Sequence, residues 1–211
     1  MHGSKTIANA LLRASAPALM LIAAMGAPAE AHHMMGGRTP STFFEGLLSG
    51  LGHPVIGLDH LAFIVAVGVA VGVAGLSLMI PALFIAASAV GVALHVLGTT
   101  LPGGEVLVAL SVLLAGAVIA RGRAVEPWVW TALFAVAGLV HGYAFGESIY
   151  GAEASPLAAY LAGLVMVQAA IATGVAAIAR RSNIAATEPR LAGAAIAGIG
   201  LAILAGQFLP A

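Results

Sequence analysis

The chain has 211 residues, 61% of them hydrophobic and 8% charged, with a mean hydropathy of +1.07, which excludes a soluble globular domain and makes this a membrane protein. Eight basic residues balance eight acidic ones, so a nucleic-acid partner has no electrostatic support. Cysteine is absent, which rules out disulfides and thiolate metal sites and leaves His, Asp, Glu, Met and backbone oxygen as ligands.

Taken in order, residues 1 to 31 carry Lys5 and Arg13, the apolar run Ala14 to Ala27, and Ala29-Glu30-Ala31. These are the three regions of a secretory signal peptide, with cleavage expected after Ala31; an uncleaved anchor helix is the rival, but the run is short for a span. Cleavage there places His32-His33-Met34-Met35 at a free end, either a metal capture port or a polar linker. The segment 32 to 52 is expected outside the membrane, on the periplasmic side. Within it Ser41-Thr42-Phe43-Phe44-Glu45 offers a capping box from Thr42 to Glu45, opening a short helix to about Gly50.

Six apolar segments follow: Pro54 to Val73, Leu76 to Leu97, Glu105 to Ala120, Pro127 to Phe145, Pro156 to Ala179 and Leu191 to Leu209. Each is near the length needed to cross about 30 Å of hydrocarbon. The expected fold is therefore an all-α polytopic membrane bundle, with residues 53 to 211 as its six-helix transmembrane domain. With the mature N-terminus outside, Arg121, Arg123, Arg180, Arg181 and Arg190 fall on the cytoplasmic side, as the positive-inside tendency requires. Trp128 and Trp130 then sit at the inner end of the fourth span and Tyr150 at an outer turn, positions suited to interfacial anchoring. Gly68 and Gly72, and Gly138, Gly142 and Gly146, repeat at four-residue spacing, which suits close helix packing.

Where the first span begins, the chain reads His53-Pro54-Val55-Ile56-Gly57-Leu58-Asp59-His60. An Asp at mid-bilayer costs roughly 2.5–3.5 kcal/mol, so something must offset it. Two imidazoles and a carboxylate suit borderline divalent ions of the first transition row. The residue before a proline is pushed toward extended backbone, so His53 is expected just outside the helix, with Pro54 in its first turn. In an unbroken helix residues 53 and 60 lie about 10 Å apart along the axis, too far to share an ion; a joint site needs the irregularity that Pro54 and Gly57 permit.

Other ionisable residues fall at the same depth. His95 closes the second span at its outer end, and His141 with Glu147 closes the fourth there. In His141-Gly142-Tyr143-Ala144-Phe145-Gly146-Glu147 the two glycines are expected to let the helix unwind between its candidate ligands. The plainer readings give His141 to helix packing and Glu147 to a solvated loop.

The spacing of His53, Asp59 and His60, the His-rich segment before it, and the His141-Gly142 … Gly146-Glu147 element on six spans together resemble the HupE/UreJ family of nickel and cobalt permeases, over essentially the whole mature chain. Val140 departs from that pattern, standing where an aromatic is common. The resemblance implies a non-enzymatic secondary transporter that takes up Ni²⁺ or Co²⁺ across a bacterial inner membrane, without a resident cofactor. It carries over His53, Asp59, His60, His141 and Glu147 as metal ligands; depth and position alone add His95, His32 and His33. Nitrogen-rich ligation favours Ni²⁺ or Co²⁺ over Mg²⁺ or Ca²⁺, and protonation of the histidines would weaken binding as pH falls. In the inner half Met166 and Gln168 are the soft or polar groups, read as packing rather than pathway.

Two other classes stay open. A membrane cytochrome would use His60, His95 and His141 as haem ligands, leaving two carboxylates unexplained. An intramembrane metalloenzyme would also want His and Asp, but the chain has no His-Glu-x-x-His pair.

Overall fold

The first helix, α1 (Phe43–Ile56), starts where its side chains satisfy the first backbone donors. Thr42 Oγ1 accepts from the Glu45 N–H at 3.2 Å, and Glu45 Oε2 accepts from the backbone N–H groups of Thr42 at 3.2 Å and of Ser41 at 2.8 Å. The capping box read from the sequence is thus present, but the helix does not stop near Gly50. It runs on through His53 and Pro54, so His53 lies inside the last turn rather than before a helix start. Pro54 is tolerated there because only one intrahelical bond is lost so close to the end. The break comes at Gly57 (φ −71°, ψ 105°), after which α2 (Leu58–Val73) sets off at 77° to α1.

The computed structural model describes residues 38–181 and 187–209, all within one unit. The signal-peptide cleavage site, His32 and His33 lie outside the described residues. After α2 come α3 (Met79–Val96), α4 (Gly104–Arg121), α5 (Pro127–Gly146) continuing as a 3₁₀ turn (Glu147–Ile149), α6 (Ala154–Arg181) and α7 (Thr187–Gly206). Five of these, α3 to α7, are long and apolar enough to cross a bilayer, and the bent pair α1–α2 makes a sixth when taken together. Alone, the 16 residues of α2 span about 24 Å, short of the hydrocarbon thickness. The chain is an all-helical, multi-pass membrane protein.

Glycines set the helix pairing. Gly46 and Gly50 of α1 bring its backbone against Pro156 and Tyr160 of α6, while Gly68 and Gly72 of α2 lie on Ala172 and Ala176 further along. Both halves of the bent span therefore pack on α6 in the same chain order, α1 on its first turns and α2 further along. Gly138 and Gly142 of α5 rest on the carbonyls of Phe84 and Ser88 of α3, and Gly116 of α4 faces Gly193 and Ala197 of α7. Where lipid supplies no hydrophobic drive between helices, such close backbone contact is the main source of association.

Between the pairs lies an aromatic core in which Phe63 packs on Phe84 and Phe134 at ring-centroid distances of 5.5 and 5.8 Å. Trp130 belongs to this core, 4% exposed and 5.3 Å from the Phe134 ring, so it is a packing residue rather than an interfacial anchor. Trp128 and Tyr150 are exposed. At the end of the bundle where α2, α4 and α6 finish, the Arg180 guanidinium donates to the Leu76 carbonyl and Arg190 Nε to the Ala120 carbonyl.

Candidate functional site

The bend at Gly57 does what the spacing of the first motif requires. It turns the last turn of α1 and the first turn of α2 toward one another, so that His53, Asp59 and His60 are 4%, 8% and 4% exposed and the rings of His53 and His60 lie 5.6 Å apart. Asp59 Oδ1 accepts the His60 backbone N–H at 2.7 Å and stands 3.9 Å from His60 Nε2. A carboxylate in the first turn also complements the positive end of the α2 dipole.

Across from this bend, α5 presents His141, which is fully buried, with its Nδ1 2.8 Å from Nδ1 of His60. Two imidazole nitrogens at that distance share one proton. The surroundings assign it. Ser111 of α4 donates to the Val108 carbonyl at 2.7 Å, and His141 Nε2 lies 2.8 Å from the Ser111 oxygen, so Nε2 is the donor and carries the His141 proton. Nδ1 of a neutral His141 is then the acceptor, and His60 Nδ1 donates to it. A ring nitrogen whose opposite N–H is anchored in this way is set up as a ligand.

His53 is held by a second polar group. Its Nδ1 lies 3.0 Å from Ser148 Oγ and 3.1 Å from the Tyr160 hydroxyl. Tyr160 donates to the Phe145 carbonyl at 2.8 Å, and Ser148 donates to that carbonyl or to the Tyr160 oxygen, each at 3.1 Å. With both hydroxyl protons so placed, Nδ1 of His53 is the donor, and a neutral ring then has its lone pair on Nε2. Phe145 packs against both rings, at 5.1 Å from His53 and 4.2 Å from His60, and Phe63 closes the other side at 4.6 Å from His141.

The remaining candidates lie apart from this cluster. Glu147 is exposed at the head of the 3₁₀ turn. Gly142 and Gly146 do not unwind α5, which stays helical through both, because their missing side chains are what admit Ser88 and His95 of α3. His95 packs tilted against Tyr143 and edge-on against Tyr150, at ring-centroid distances of 4.5 and 5.7 Å, with its buried Nδ1 unpartnered among the described residues. Among those residues no three His, Asp or Glu side chains converge closely enough to hold an ion as they stand. Ser111, Ser148 and Tyr160 were not singled out by sequence reasoning; for Ser111 and Tyr160 the signal was a hydroxyl in an otherwise apolar span, while Ser148 lies in the turn beyond the fourth span.

A family model described as HupE / UreJ protein matches residues 19–203. The chain is also 30% identical to Protein HupE of Rhizobium leguminosarum bv. viciae over 189 residues, 88% of this chain and 95% of that protein. No solved structure matches it.

Proposed function

The chain belongs to the HupE/UreJ family, a transporter family, and from that premise we propose that it is a permease for Ni²⁺ or Co²⁺ in a bacterial inner membrane, entered from the periplasmic side. The observation that carries this reading is the buried His60–His141 pair at the helix bend. Two nitrogens about 2.1 Å from one ion at right angles to each other lie about 3.0 Å apart, close to the 2.8 Å between the two Nδ1 atoms. An incoming ion takes the place of the shared proton, which moves to Nε2 of His60, 3.9 Å from Asp59 Oδ1, so that the ring stays neutral; a small shift of the bend adds Asp59, which offsets charge, and His53. Glu147 and His95 act earlier, at the mouth, with His32 and His33 ahead of them. The arginines at the ends of α4 and α6 and at Arg190 support an orientation with that end in the cytoplasm.

Haem is disfavoured by the same geometry. Axial histidines stand on opposite faces of a macrocycle, whereas the nitrogens of His60 and His141 are within hydrogen-bond distance.

The test is accumulation of radioactive nickel and cobalt by cells expressing the chain, beside His60→Ala and His141→Ala at equal membrane abundance. Uptake by the parent and background levels in both variants are expected. No uptake above empty cells by a correctly inserted parent rejects the permease.

A further inference from the structure

The buried stripe of α6 runs Tyr160, Leu164, Gln168, Ala172, Ala176, one residue per turn. Tyr160 holds His53, and Ala172 and Ala176 receive Gly68 and Gly72. Between them stands Gln168, about 12 Å along the axis from Tyr160 and 0% exposed. Its Nε2 donates to Ser88 Oγ at 3.3 Å, while its Oε1 has no hydrogen-bond partner among the described residues. Exchanging the amide ends does not remove the problem, since the NH₂ group is then the unpartnered one. Ser88 is also fully buried, and its carbonyl lies against Gly142, the residue next to His141.

An unpaired amide in a helix core surrounded by lipid is expensive, and an apolar side chain of similar size would pack there without that cost. Packing alone therefore does not account for it. The placement does: this polar group is on the far side of Leu164 from the His53 group, beside α5 at the level of His141, on the way to the arginine-bearing end.

We propose that Gln168, with its amide turned so that Oε1 rather than Nε2 faces Ser88 Oγ, forms with that hydroxyl a second station for the transported divalent ion, which receives it from the histidines. The proposal rests on the permease reading above. Its chemistry differs from the first site in the direction transport needs: two neutral oxygens bind a borderline divalent ion more weakly than imidazoles and a carboxylate, and an ion moves through only where each site is weak enough to leave. The amide oxygen and the hydroxyl replace part of the ion's water shell.

The experiment measures ⁶³Ni²⁺ uptake by cells and Ni²⁺ binding to the purified protein for the parent, Gln168→Leu and Ser88→Ala, with His60→Ala as reference. Gln168→Leu is expected to lose most of its uptake, with a thermal midpoint at or above the parent's and parental Ni²⁺ binding; His60→Ala is expected to lose binding as well. Ser88→Ala is expected to lose uptake to a smaller extent. Parental uptake by Gln168→Leu overturns the station while leaving the permease standing, whereas an inactive parent overturns both. If Gln168→Leu does not insert, Gln168→Asn decides: it keeps the amide but withdraws it by one methylene, and undiminished uptake overturns the proposal.

Discussion

His53 and Asp59 are separated by the same interval as His141 and Glu147, yet the structure treats the two motifs in opposite ways. Six residues along a continuous helix advance about 9 Å and leave the side chains about 120° apart. The second motif obeys this: α5 is unbroken from His141 to Gly146, His141 faces the core, and Glu147 is exposed. In the first motif Gly57 interrupts the helix, the axis turns by 77°, and all three ionisable residues are buried. Glycine therefore has two different uses here. Gly57 bends the chain to bring His53, Asp59 and His60 together, while Gly142 and Gly146 stay helical and let α3 approach.

The strongest way to break that comparison is Gly57→Ala. Its φ of −71° suits any residue, so backbone strain plays no part, but a Cβ there lies 2.6 Å from Cδ2 of His60. The ring must swing from His141, and uptake should fall to the level of empty cells in protein that still inserts. Such overpacking costs about 1–3 kcal/mol, readable as a lowered thermal midpoint in detergent. Gly57→Ala with full uptake would mean that the His60–His141 pair is not part of the route.

Gly146→Ala is the complementary case and should act on stability more than on transport. Its Cβ would stand 2.5 Å from Cβ of His95, wedging α5 from α3 without touching His60 or His141. The thermal midpoint should drop by an amount comparable with Gly57→Ala, while uptake per inserted molecule stays within about two-fold of the parent. Equal loss of uptake in both variants would erase the distinction between a bending and a packing glycine.

How far the sequence could reveal this follows from the same residues. Span limits were legible because runs near twenty apolar residues end at arginines, glycines and prolines, and the Thr42–Glu45 cap was legible because its chemistry is local. The need for a break between His53 and His60 was legible too, but its place was not: the rule for the residue before a proline puts His53 outside a helix, and packing of Gly46 and Gly50 on α6 overrides it. Ser111 and Tyr160 stayed hidden for another reason. A helix apolar all round gives no moment to show which face is inward, and a serine in a span can return its proton to its own helix, as Ser111 does to Val108. Nothing local tells such a serine from one that anchors a histidine on another helix.

The smallest effect is expected at Glu147, and it bears on whether the second motif ever resembles the first. An exposed carboxylate at the mouth attracts a divalent cation through water, an interaction that salt screens within about 8–10 Å near physiological ionic strength. In proteoliposomes Glu147→Gln should raise the half-saturating Ni²⁺ concentration a few-fold in dilute buffer, with an unchanged maximal rate, and the difference should fade as inert salt is added. A carboxylate that ligates the ion directly behaves otherwise: its loss lowers the maximal rate and resists salt. That second pattern would require the Glu147–Ile149 turn to rotate inward during transport, making the end of α5 a moving counterpart of the fixed bend at Gly57.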